Sequence, residues 1–161
     1  MSLTTVFVES PVGRFALVGD ERGLWRVHLP HEYARASRGP VPTALSDAAN
    51  QLTAYLAGEL EVFDVVLAPV EASEFHQDVW RALRTIPYGQ VRTYAEVAAM
   101  VGRPLAYRGV GNANHHNPWP VIVPCHRVVA ANALGGYGGG EELKRYLLER
   151  EGVSLARLVA H

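Results

Sequence analysis

Cysteine is nearly absent from this chain: one residue, Cys125, stands in 161. A single thiol excludes an internal disulfide and fits a reducing compartment. Long hydrophobic runs are missing too, and none approaches the roughly 18 residues that a membrane-spanning helix needs. The opening residues, MSLTTVFVES, lack the basic region and long apolar run of a secretory signal. These absences lead us to expect a soluble, cytoplasmic protein with no membrane partner. Charge is sparse, at 19% charged against 48% hydrophobic residues. That excludes a disordered chain, and the length allows one ordinary core or two small ones.

The formal net charge of −1 conceals an uneven distribution. Residues 1–74 carry ten acids and five arginines, whereas residues 75–130 carry two acids (Asp78, Glu96) and six arginines. A basic segment in a near-neutral protein is a candidate footprint for a polyanion; a solvated arginine-bearing surface is the alternative.

Residues 3–8 and 14–19, joined by SPVG, read as a β-hairpin, and GLWRVHL (23–29) as a third strand. Leu45, Ala49, Leu52, Tyr55 and Leu56 predict a helix from Ser46 to Leu56, and VFDVVL (62–67) predicts another strand. The expected first domain, residues 1–72, is thus a small α+β unit with an antiparallel sheet. Residues 73–161 form the expected second domain, which is mainly helical. Ser73 can cap a helix through EFHQDVWRALRTI, and Thr93 with Glu96 makes a capping box for YAEVAAMV. Gly102 ends that helix, and Pro104 suits the first turn of another over 104–114. Two short helices joined by a Gly-containing turn match a helix-turn-helix. Gly109 and Gly111 each cost the second helix about 1 kcal/mol relative to alanine. Either a nucleic-acid backbone or a neighbouring helix must approach closely there. VIV (121–123) predicts a short strand, ANALGGYGGG (131–140) a glycine-rich loop, and EELKRYLLERE (141–151) a last helix.

PVIVPCHRVVA (120–130) sets Cys125 beside His126 and Arg127 within otherwise core-like sequence. A lone buried cysteine commonly serves as a small hydrophobe, but a neighbouring imidazole and guanidinium can favour a thiolate nucleophile. In an extended segment, adjacent side chains point to opposite faces. Cooperation between Cys125 and His126 therefore needs a turn at Pro124–Cys125 or a bridging water, and Glu149 or Glu151 could fold back to orient His126. Other chemistries fit less well. A Cys/His hydrolase lacks any family context for protease chemistry. A metal site from His115, His116, Cys125 and His126 matches no structural zinc spacing. GGYGGG lacks the Lys-Ser/Thr of a phosphate loop, and Glu141 and Glu142 would repel phosphate. No metal and no cofactor are expected.

PCHRV (124–128), preceded by NP (117–118), TYAEVA and YRGVG, resembles the O6-alkylguanine-DNA alkyltransferase family. The resemblance runs from about Phe75 to Gly152 and takes in FHQDVWRALRTIPYGQVRTYAEVA, while SPVG and YLAGEL resemble that family's N-terminal domain. It implies irreversible, single-turnover transfer of an O6-alkyl group, mainly methyl, from a flipped-out guanine in duplex DNA to Cys125. O4-alkylthymine is a further implied substrate. His126 would then be a base acting through water, Glu151 the group polarising it, and Asn117 the brace of the turn before the active-site strand. Tyr94 would donate its hydroxyl proton toward guanine N3. Arg108 would enter the duplex through the minor groove, with Arg103, Gly109, Ala113, Tyr94 and Arg127 also on DNA. Tyr137 and Trp119 would wall the pocket, Gly138 would offer an amide to O6, and the Val128 and Cys125 carbonyls would receive the guanine amino group. A protein acting as a monomer, without cofactor, completes the expectation.

The chemistry is coherent without the resemblance. A thiol held inside a protein cannot reach a stacked base, so the base must leave the stack at a cost of a few kcal/mol. The resulting thioether has no carbonyl for water to attack, and no second thiol is present to remove the group. Some positions depart from the family pattern: Tyr107 and Gly109 flank Arg108 where alanines are common, His115 and His116 precede Asn117, and Trp119 is bulky. A lone cysteine excludes the cysteine-based zinc site of some members. The alternative is a non-catalytic DNA-binding relative that signals to another repair pathway, but such relatives lack the acceptor cysteine. A methyl-responsive transcription factor would need a further metal-binding domain, for which 161 residues leave no room.

Overall fold

Alternating apolar residues build three strands at the start of the chain, β1 (Thr4–Ser10), β2 (Gly13–Asp20) and β3 (Gly23–His28). They belong to a computed structural model that describes residues 2–156 and divides into two units. The first unit runs to Glu71 and adds Pro118–Ile122; the second takes Ala72–Asn117 and the chain from Val123. In the first, the strands form an antiparallel sheet in the order β1-β2-β3, with Val8 opposite Phe15 and Leu17 opposite Val27. Helix α1 (Thr43–Leu56) lies against all three strands. Its Leu45, Ala48, Leu52 and Tyr55 are fully buried, as are Phe15, Leu17 and Leu24 of the sheet. Each large apolar side chain removed from water in this way stabilises the unit by about 1.5–3 kcal/mol.

Two expected strands are not formed. VFDVVL is reduced to one parallel bridge, Leu67 to Leu24. The Gln51 side chain explains this, because its amide accepts from Asp64 N–H at 2.8 Å and donates to Asp64 O at 2.9 Å. The backbone groups that a ladder would use are thereby taken. VIV also fails as a strand, since Val121 has a φ of 75°, a left-handed conformation costly for a β-branched residue. Its neighbours instead dock on β3: Val27 N–H donates to Pro118 O (2.8 Å), and the Trp119 indole N–H to Leu24 O (2.7 Å).

The second unit contains α2 (Glu74–Leu83), β4 (Arg92–Thr93), α3 (Tyr94–Met100), α4 (Tyr107–His115), a 3-10 turn (Cys125–Arg127), β5 (Val128–Val129) and α5 (Glu141–Arg150). Ser73 Oγ accepts from His76 N–H as the cap of α2, and the Thr93–Glu96 capping box starts α3 with both of its hydrogen bonds. Gly102, at a φ of 76°, ends α3. Helix α4 starts at Tyr107, later than Pro104, because Ala106 N–H first closes a turn onto Arg103 O at 2.9 Å. Helices α2, α3 and α4 pack on one another, and the buried Trp80 indole donates to Ala113 O at 2.9 Å. The parallel pair β4–β5, with Arg92 opposite Val128 and Thr93 opposite Val129, ties the start of α3 to the residues after Cys125. A small core of Val129, Leu134, Leu148 and Leu155 lies behind it.

Candidate active site

Pro124 creates the local geometry. At φ −80° and ψ 65° it is the centre of a tight turn in which Cys125 N–H donates back to Val123 O at 2.8 Å. Arg127 N–H then closes onto Pro124 O at 3.0 Å, so Cys125, His126 and Arg127 lie on one short helical turn. The alternation of an extended strand is abolished at this point. Asn117 braces the turn, its buried Nδ2 donating to Val123 O at 2.9 Å. The same side chain also hydrogen-bonds Cys125 and favours its thiolate.

Glu151, at the end of α5, gathers the buried charges. Its Oε2 lies 2.7 Å from His126 Nε2 and 3.1 Å from an Arg127 Nη2, while Oε1 accepts from Arg127 Nε at 2.9 Å and Gly89 N–H at 3.0 Å. Arg127 also donates to Ile86 O at 2.7 Å. Burial alone would raise the Glu151 carboxyl, but bonds from His126, Arg127 and Gly89 outweigh it and hold it down at about 2. Burial lowers the His126 pKa, and Arg127 and Lys144 lower it further against the pull of Glu151. The ring is therefore neutral near neutral pH, with Nε2–H donating to the carboxylate and Nδ1 as its basic nitrogen. The Cys125 thiol is pushed up by burial, against opposing help from Asn117 and Lys144. At rest it is protonated and needs a base.

Lys144 escaped the sequence reading. Its side chain is wholly buried, and Nζ donates to Val128 O at 2.6 Å and Gly136 O at 3.1 Å. Burial lowers its pKa to about 8, and a charge on Cys125 raises it. The available signal was its place on α5, three and four residues before the core positions Leu147 and Leu148. Tyr94, the first residue of α3, reaches the same region. Its hydroxyl lies 3.0 Å from where a side chain at Gly135 would begin, and Gly135 has a φ of 80°. Burial raises the Tyr94 pKa, and a contact with the Gly136 backbone opposes this.

A family model for the 6-O-methylguanine DNA methyltransferase DNA binding domain matches residues 74–153, and one for its ribonuclease-like domain matches residues 3–69. The chain belongs to the 6-O-methylguanine DNA methyltransferase family. It is 47% identical over 152 residues to a methylated-DNA–protein-cysteine methyltransferase of Methanosarcina acetivorans, covering 89% of this chain and 95% of that one. The crystal structure of Mycobacterium tuberculosis O6-methylguanine methyltransferase superposes with a TM-score of 0.81 at 45% identity, over 93% of each chain. A Mycobacterium tuberculosis OGT structure in complex with DNA gives the same TM-score and identity over 98% of this chain and 97% of that one.

Within this methyltransferase, the second unit gathers Cys125, His126, Glu151, Asn117 and Tyr94 around the turn and the glycine loop. Two expected placements need correction. Ala113 is fully buried on the face of α4 toward α2, so a duplex cannot touch it. Arg127 is spent on Glu151 and Ile86 and is buried, so it serves the site and not DNA. Gly109 is half-buried, and a side chain there would begin 3.0 Å from the Phe75 ring, so helix packing also calls for its small size. Trp119 is buried in the first unit, where its indole N–H donates to Leu24 O at 2.7 Å. The Val128 carbonyl accepts from Lys144 Nζ, and the Cys125 carbonyl from Val128 N–H. Tyr137 is half-buried and Gly138 exposed in the glycine loop, while Arg103 and Arg108 are exposed around the α3–α4 turn. His116 is stacked on His76 at 5.5 Å, and His115 meets His116 edge-on at 5.3 Å. Among the described residues, no group of three metal-binding side chains could hold a metal ion. Among them, too, no helix is long and apolar enough to cross a membrane.

Proposed function

We propose that this protein repairs duplex DNA by moving the alkyl group of O6-alkylguanine onto Sγ of Cys125, once per molecule. The observation that carries the reading is a buried thiol on a proline-set turn, on the same turn as a His126 whose Nε2 lies 2.7 Å from the Glu151 carboxylate. His126 takes the thiol proton through a bridging water, and Glu151 stabilises the imidazolium that forms. Lys144 and Asn117 favour the thiolate. Sγ attacks the alkyl carbon, the C–O6 bond breaks, and its electron pair stays on guanine. Tyr94 supplies a proton toward N3 of the departing base. With the imidazolium proton passed back to the Tyr94 phenolate, the net change moves one alkyl group from O6 to sulfur and one proton from sulfur to the base. A thioether results, and no second thiol exists to clear it.

Base extrusion is required for the thiol to reach its carbon. Arg108, exposed on the first turn of α4, fills the place of the extruded base, and α4 approaches from the minor groove. Arg103 contacts phosphate. Tyr137 walls the pocket, and Gly138 offers its amide to O6. O4-alkylthymine is a further substrate, and the protein acts as a cytoplasmic monomer. Incubation with duplex DNA carrying O6-methylguanine tests the reading: one added methylene per chain, on Cys125, is expected. Multiple turnover without an adduct would sink it.

A further inference from the structure

The α3–α4 turn exposes apolar surface that the transfer chemistry does not use. Leu105 is 88% exposed, Tyr107 47% and Met100 44%, all of them large hydrophobic side chains open to water. They stand in a stretch, residues 97–140, without a single Asp or Glu, and Arg103 and Arg108 flank them. A folded unit leaves such a cluster in water when something else covers it. The surrounding positive charge selects a polyanion, and its apolar centre selects one with a hydrophobic interior.

Position narrows the occupant further. Tyr107 and Arg108 lie four and three residues before Gly111, so they share its face of α4. A side chain at Gly111 would begin 3.9 Å from the Tyr94 ring, whose hydroxyl reaches Gly135. Tyr107 therefore stands about one helical turn, roughly 5–6 Å, from the residues that border the thiol's surroundings.

We propose that Leu105 and Tyr107 form an apolar wedge that presses into the base stack beside Arg108, unstacking the base pair next to the extruded guanine. The proposal rests on the alkyl-transfer reading above and adds a second inserting element to it. Arg108 replaces the missing base; the wedge opens the neighbouring step. Repair is therefore fastest where the lesion borders a pyrimidine–purine step, which unstacks most easily.

The test compares Leu105→Ser, Tyr107→Ala and Tyr107→Phe with the unsubstituted protein. Transfer rates are measured on O6-methylguanine duplex and on free O6-benzylguanine. Loss of the wedge slows the duplex reaction by about tenfold or more, while the free-base rate changes by less than about twofold. Tyr107→Phe keeps the duplex rate, because stacking and not the hydroxyl is used. In the Cys125→Ala background, 2-aminopurine beside the lesion brightens on binding, and Tyr107→Ala removes most of that rise. An unchanged rise, or equal losses on duplex and free base, overturns the wedge. So does self-association that Leu105→Ser abolishes, since a second copy would then cover the patch. Absence of any adduct in the unsubstituted protein overturns the transfer reading itself, and the wedge with it; an adduct with indifferent variants overturns the wedge alone.

Discussion

Replacing Glu151 with glutamine removes one buried charge while keeping the side chain's shape. In the native protein this carboxyl sits at about 2, against 4.5 for an unperturbed group. At about 1.4 kcal/mol per pH unit, that difference carries about 3 kcal/mol of folding stability. The folded value lies below the unfolded one. The stability is therefore complete well above pH 4.5 and is lost as pH falls toward 2. Glu151→Gln also leaves the Arg127 guanidinium buried without its counter-charge, so the cost near neutral pH is about 3–5 kcal/mol. Urea unfolding near neutral pH should show that loss, and the gap should narrow by about 1 kcal/mol between pH of about 4.5 and about 3.5. Adding Arg127→Met should restore about 1 kcal/mol or more, because it removes the orphaned charge. A variant as stable as the native protein, or a gap independent of pH, would refute the reasoning.

Lys144→Met should leave the protein folded and slow transfer near neutral pH by about tenfold to a hundredfold, since a nearby cation lowers a thiol pKa by roughly 1–2 units. The thiol limb of its pH–rate profile should move to higher pH; an unchanged profile would remove Lys144 from the chemistry. Because burial lowers Lys144 to about 8 from 10.5, its charged form costs stability below that range, and native stability regains part of this as pH rises from 8 toward 10.5. Gly135→Ala should lose at least about 1 kcal/mol in thermal unfolding, since it needs a positive φ. It should also slow transfer, because its side chain would begin 3.0 Å from the Tyr94 hydroxyl; a neutral result would show that this loop yields freely. Arg108→Ala should impair repair of duplex DNA far more than reaction with free alkylated base, and equal losses would count against insertion.

Local signals in the sequence carried much of this structure. Ser73, Thr93, Glu96 and Gly102 mark helix ends through short-range hydrogen bonds and backbone preference, and they appear where expected. Failures came where a distant side chain decided the outcome. Nothing near Phe63 or Asp64 reveals that Gln51 will occupy the backbone of Asp64. Val121 reads as a strand residue until its φ of 75° is seen. At the site, Pro124 told that the chain could turn, but the fork of Arg127 onto Glu151 spans 24 residues and was read instead as a DNA contact. Lys144 went unread, because its carbonyl partners, Val128 and Gly136, come from separate segments. Gly109 shows the same limit: its small size was plain, and only packing shows that Phe75 requires it.

The central claim is that Cys125 is both acceptor and limit of one transfer. Mass analysis of the protein after excess O6-methylguanine duplex tests it directly. The account predicts a single added methylene per chain, located on the peptide carrying Cys125, and no further reaction when fresh duplex is supplied. Continued demethylation by the same molecules, or a modification placed on any other residue, would contradict it.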